Sequence, residues 1–173
     1  MTVFTATRAG ATRAAVGVGN AQDLKVAWGT IEITTNPLLG DSYIMCKLPK
    51  GALIVGGRIT GDPLDSSGSG SALLGFNCGV DKAVTAADGT AFAATSTSNC
   101  LGASLAFGPD AVAVAGYKAT NTRNFPFGSV LVTSGPLLTS DDCNVYLIAS
   151  ASALAFTTGT LNVFVEYYQQ ITS

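Results

Sequence analysis

The sequence predicts an all-β domain, a sandwich or barrel of about eight strands. Three observations carry that prediction. Short segments rich in Val, Ile, Thr and aromatic residues alternate apolar and polar positions. Gly, Pro, Asn and Asp punctuate them at short intervals. No segment holds a long helical period, and no internal repeat stands out. At 173 residues the chain is long enough to bury one core without covalent staples. We divide it into an extended N-terminal arm, residues 1–23, and a β-sandwich domain, residues 24–173.

The arm is set apart by composition. It is rich in Ala, Gly and Thr, carries Arg8 and Arg13, and has no acidic residue before Asp23. Two readings fit: a disordered terminus, or an arm that crosses onto a neighbouring subunit. In the second, Arg8 and Arg13 are the candidate partner-binding residues, meeting acidic groups there.

The elements follow in order. "LKVAWGTIEITT" alternates, with Val26, Trp28 and Thr30 on one side and Ala27, Ile31 and Ile33 on the other. Asn36-Pro37 ends it. "DSYIMCKL" puts Ile44, Cys46 and Leu48 on one face, and Pro49-Lys50-Gly51 makes a turn. "ALIVGGRIT" follows, with Leu53, Val55 and Ile59 facing one way and Arg58 and Thr60 the other. Gly56-Gly57 inside it marks a bulge or a bend at a sheet corner. After the Ser/Gly-rich loop "DPLDSSGSGS", the strand "ALLGFNCGV" places Leu74, Phe76, Cys78 and Val80 together. Asp81 to Thr90 is a polar turn region. Ala91 to Phe107 has room for one short helix. "DAVAVAGYKA" and "NTRNFPFGSVLVTS" hold two more strands, with Pro126 at an edge or a strand entry. "NVYLIASA" and "TLNVFVEYYQQ" form an antiparallel pair. In the last strand Leu161, Val163, Val165 and Tyr167 share one face; Asn162, Phe164, Glu166 and Tyr168 share the other.

Composition narrows the function. Charged residues make up 12% of the chain, where about 25% is usual. Either partners cover much of the surface, or hydroxyls keep a neutral β-rich surface soluble. The nine Lys and Arg residues are scattered from Arg8 to Arg123, and net charge is −2, so no basic stripe for nucleic acid exists. No basic amphipathic segment suits a membrane surface. The uncharged run from Val145 to Val165 approaches the length of a membrane span. Thr157, Thr158, Gly159, Thr160 and Asn162 interrupt it, so it is two strands and a turn. The N-terminus lacks the apolar core of a secretory signal. The default for Cys46, Cys78, Cys100 and Cys143 is therefore a reducing compartment and free thiols, with oxidation of a pair after assembly outside the cell as the alternative. None is at C-x-x-C spacing, so no zinc and no other cofactor is expected.

Catalytic chemistry has little to work with. The chain has no histidine, which removes Ser-His-Asp and Cys-His sites. No G-x-S-x-G elbow and no phosphate loop occurs. Asp62 with Asp65 and Asp141 with Asp142 are the paired carboxylates; each pair is read as turn chemistry, because aspartate bonds nearby backbone amides. Trp28 with Tyr167-Tyr168 is the candidate aromatic patch. Neighbouring strand residues face opposite ways, so one tyrosine is assigned to the core and the other to a surface or interface. Phe125 and Phe127 point the same way and close the end of the sandwich, or else anchor a partner.

A resemblance joins these residues. "LPKGALIVGGRI" and "DPLD", then "LLGFNCGVDKAVTAADGTAF" with Ala87, Asp88, Ala91 and Phe92, resemble small β-sandwich virion proteins of tailed bacteriophages. The final Thr-Gly-Thr-Leu turn and its Val/Tyr strand are similar too. The resemblance runs from Leu24 to the C-terminus and rests on turn and strand motifs. It implies a capsid decoration (cement) protein with a jelly-roll-like sandwich. Such a protein is not an enzyme. Its partner is the major capsid protein, its oligomer is often a trimer, and its place is the capsid exterior after synthesis in the host cytoplasm. Another virion part, such as a head fibre base, tail component or receptor-binding module, is the first alternative. A carbohydrate-binding β-sandwich is the second.

Overall fold

The computed structural model describes residues 3–5, 23–66, 74–86, 91–92, 100–106, 123–127 and 135–169. Twelve strands lie among them and no helix. They are β1 (Val3–Thr5), β2 (Leu24–Ile33), β3 (Ser42–Leu48), β4 (Ala52–Gly61), β5 (Gly75–Val80), β6 (Val84–Ala86), β7 (Ala91–Phe92), β8 (Gly102–Ala106), β9 (Arg123–Pro126), β10 (Leu137–Thr139), β11 (Cys143–Ala151) and β12 (Gly159–Gln169).

They form two sheets. The five-stranded sheet runs β1-β3-β11-β5-β8. The seven-stranded sheet runs β2-β12-β4-β10-β6-β7, with β9 added beside β4. From β2 to β6, and again from β10 to β12, each connection carries the chain across to the other sheet. That is the double-sheet habit of jelly-roll-like sandwiches. Pairing is antiparallel except where β1 lies parallel to β3, Val3 opposite Ser42. The count exceeds eight because β1, β6, β7 and β10, of two or three residues each, still find ladder partners.

Alternation places the core as expected in several strands. On β12, Leu161, Val163, Val165 and Tyr167 are buried. On β5, Phe76, Cys78 and Val80 join Leu74 at 0% exposure. On β2, Ala27 and Ile33 turn inward while Val26 and Trp28 stay exposed. Across the five-stranded sheet, Val145, Leu147 and Ala149 of β11 complete the same core. Each fully buried Val, Leu or Ile contributes about 1.5–3 kcal/mol.

Three features depart from the alternation read along the chain. On β3 the register slips between Val145 and Tyr146 of β11, so Met45 bulges. Tyr43 and Met45 are therefore buried along with Cys46 and Leu48, and Ile44 is only half-buried. On β4 the slip falls opposite Glu166 and Tyr167. Ala52 and Ile54 face the core before it and Ile59 after it, so Leu53 and Val55 turn outward. The bulge expected near Gly56-Gly57 is real, and it reverses the parity of the residues ahead of it.

The third departure is larger: β11 and β12 are not a pair. β11 lies between β3 and β5, and β12 lies between β2 and β4. Their connection, 152–158, is too long for a tight hairpin and crosses between the sheets instead. The uncharged run they share is nonetheless two strands and a turn. Among the described residues no helix is long and apolar enough to cross a membrane.

Two glycines are required by the backbone. Gly51 takes φ +75° in the turn closed by the Ala52 N–H on the Pro49 carbonyl at 3.2 Å. Gly29 of β2 sits under the Met45 bulge, where a Cβ would collide with the Met45 carbonyl. The two sheets approach there because Gly29 has no side chain.

Candidate contact surfaces

Among the described residues, the cysteines and the paired aspartates are occupied with structure. Among the described residues no cluster of His, Cys, Asp or Glu could hold a metal ion. All four cysteines are free and buried. Burial pushes the Cys46 and Cys78 thiols well up from their ordinary values. It pushes Cys143 up to about 12, helped by the charge of Asp81 and the Asp141-Asp142 pair. Such thiols stay protonated and unreactive at neutral pH.

The paired aspartates bond backbone amides. Asp62 Oδ2 accepts from the Thr160 N–H at 2.9 Å. Asp142 Oδ1 accepts from Lys50 N–H at 2.7 Å, and Asp141 Oδ1 from Asp142 N–H at 2.8 Å. Asp65 is 0% exposed. Its carboxylate accepts from the N–H groups of Leu74, Leu154 and Ala155 at 3.3, 3.1 and 3.2 Å. This is the turn chemistry expected of aspartate, carried into a buried site.

The outward face of the seven-stranded sheet carries the aromatic residues. Trp28 is 37% and Tyr168 38% exposed, whereas Tyr167 is buried at 1%. The division of the two tyrosines follows from strand alternation. Trp28 faces Phe164 across the β2–β12 ladder, and their rings stack at 6.4 Å. The Arg58 guanidinium lies 4.7 Å from the Phe164 centroid, a cation–π contact that covers that ring. Leu24 and Val26 flank the pair on β2. Alternation alone places Phe164 and Arg58 on outward faces; what links them to Trp28 is the register among three strands. Phe127 is core, 8% exposed, with its N–H on the Gly57 carbonyl. The side chain of Phe125 lies outside the described residues, as do Arg8 and Arg13 and the expected strand "DAVAVAGYKA".

A second exposed apolar surface is at one end of the sandwich. Loop 34–41 and loop 152–158 are clipped together there by Asn36 and Ala153. The Asn36 Nδ2 donates to the Ala153 carbonyl at 2.9 Å, and the Ala153 N–H donates to Asn36 Oδ1 at 3.1 Å. Asp41 Oδ2 accepts from Leu38 N–H at 2.9 Å, and Gly40 N–H reaches the Ala149 carbonyl. Asp65 holds the second loop through Leu154 and Ala155. The pinned loops hold Leu38, Leu39 and Leu154 out into solvent. A Pro-Leu-Leu-Gly loop gives no sequence signal for this, because the clip between the loops is tertiary.

No family model matches the chain, and no curated protein matches its sequence. Two solved structures share its fold over nearly the whole length. A chain in the capsid asymmetric unit of cyanophage Pam1 is 21% identical, with a TM-score of 0.56, covering 94% of this chain and 96% of that one. A chain in the capsid of Ralstonia phage GP4 is 16% identical, with a TM-score of 0.64, covering 98% of this chain and 99% of that one. The class defined is an all-β sandwich of the kind found in those two phage capsids.

Proposed function

We propose that this chain is a non-enzymatic structural protein of a phage virion. It binds the outside of the assembled capsid, contacts the major capsid protein and stabilises that lattice. It acts as a homo-oligomer, a trimer in the reading that the sequence resemblance supports. The observation that carries the proposal is the near full-length likeness to chains of two phage capsids. The composition supports it: no histidine, 12% charge and buried, inert thiols. The first residues of the arm pair with β3 of the same chain; the stretch that follows, with Arg8 and Arg13, is the tether to a neighbouring subunit.

The mechanism is linkage. A protein that binds the assembled lattice and not its dispersed subunits adds about 2.7 kcal/mol per site at a hundredfold excess over Kd. Co-sedimentation tests this. The chain should pellet with assembled shells of the major capsid protein and stay in solution with the unassembled form. Equal binding to both, or to neither, overturns the proposal. One observation favours a second reading, a sugar-binding face: Trp28 and Tyr168 are both partly exposed on one sheet. Arg58 over Phe164 occupies part of that face, and a glycan array tests it directly.

A further inference from the structure

We infer that the loop end bearing Leu38, Leu39 and Leu154 is the surface that docks on the shell, seated against an uncharged, apolar patch of the assembled major capsid protein. The inference rests on the proposed function and names the contact that function needs.

Four observations support it. First, exposure is 66% for Leu38, 74% for Leu39 and 67% for Leu154, the highest values among the exposed large hydrophobic residues described. Scattered single leucines are ordinary; three on two clipped loops form a feature. Second, the leucines are preorganised. The Asn36–Ala153 pair, the Asp41 turn and the buried Asp65 carboxylate fix both loops. A partner that seats on them has little loop entropy to remove. Third, the chemistry of the partner is constrained. Within 34–41 and 152–158 the one charged residue is Asp41, which is 6% exposed and turned onto its own loop. Thr34, Thr35, Thr157 and Thr158 supply the polar rim. A charged partner surface would find no counter-charge in these loops, and an apolar one would find three side chains to bury.

Fourth, area decides between a second copy and a lattice. Three leucines at this exposure present on the order of 400 Å², about half of the ~800 Å² per partner in a stable complex. A face that small does not hold two copies together alone. It serves where many copies bind a repeating surface and each contact adds to others on the same subunit.

The test uses the full chain with Leu38→Ser, Leu39→Ser and Leu154→Ser combined, assembled shells of the major capsid protein, and light scattering of the free protein. These side chains are exposed, so the variant should fold, with an unfolding midpoint near that of wild type. Its shell binding should fall about a thousandfold, at roughly tenfold for each of the three anchors lost. Its size in solution should not change. A parallel set with Met at the three positions keeps the apolar surface and should bind within about threefold of wild type. Shell binding by the Ser variant within twofold of wild type overturns the docking site and leaves the proposed function standing. A smaller oligomer for the Ser variant also overturns it, because the leucines would then join copies of this chain. Loss of binding in the Met set overturns it as well. Wild-type protein that fails to bind shells overturns the proposed function itself, and the docking site with it.

Discussion

Gly29→Ala tests the packing of the two sheets where β2 meets the β3 bulge. The added methyl would meet the Met45 carbonyl oxygen and carbon, which belong to the backbone of the β3 bulge. A side chain could rotate away; this backbone is held by β11 on its far side. Relief requires the sheets to part or the bulge to flatten, and overpacking of this kind costs about 1–3 kcal/mol or more. Removing glycine from a strand interior returns about 0.5–1 kcal/mol. The net expectation is about 2 kcal/mol of destabilisation. With a urea slope of about 2 kcal/mol/M, the midpoint drops by about 1 M. The comparison is Gly56→Ala, where the nearest atom to a new Cβ is Glu166 Oε2 at 3.1 Å, the end of a flexible side chain. That variant should stay within about 0.5 kcal/mol of wild type. Both are measured by urea titration at one protein concentration, since association shifts the midpoint. Equal midpoints for the two variants would refute the close approach of the sheets at Gly29.

Four further outcomes are expected. The folded protein should resist thiol reagents at pH 8, and unfolding should release all four cysteines; rapid labelling of all four in the native state would contradict their burial. Burial raises Cys143 to about 12 from 9.0, and Tyr43 to about 12 from 10.0 with the Asp41 charge adding to it. The unfolded chain therefore loses these protons first, so the contribution of these two groups to stability should be level below about pH 8 and fall from there towards pH 12; a urea midpoint that rises over that range would contradict the sign. Asp65→Ala should cost about 3 kcal/mol by leaving the buried N–H of Leu74 and the partly buried N–H groups of Leu154 and Ala155 without their carboxylate. It should also speed hydrogen exchange at Leu154 and Ala155, and unchanged exchange there would contradict the pinned loop. Deleting Met1 to Gln22 should leave the sandwich folded but weaken shell binding; undiminished binding would refute the tether.

Period-two alternation makes the faces of β2, β5 and β12 legible in the amino-acid sequence, down to the separation of Tyr167 from Tyr168. It fails where an extra residue enters an unbroken apolar stretch. Met45 lies inside "YIMC" and Val55 inside "LIVGG", and neither has a polar neighbour to mark the slip. Alternation states which face is buried and is silent on which strand lies alongside. It therefore suggests a β11–β12 pair across a connection that in fact changes sheets. β6, β7 and β10 escape it because two or three residues cannot show a period. The surfaces divide in the same way. Trp28 and Tyr168 can be found from their own strands. Leu38, Leu39 and Leu154 cannot, since their exposure depends on Asn36 meeting Ala153 and on Asp65 reaching Leu154 across the fold.

The most direct test of lattice stabilisation is scanning calorimetry of assembled shells with and without the chain. A stabilising chain moves the shell transition to higher temperature as it is added, and the shift stops once the lattice sites are filled. An unchanged shell transition at saturating protein would contradict lattice stabilisation.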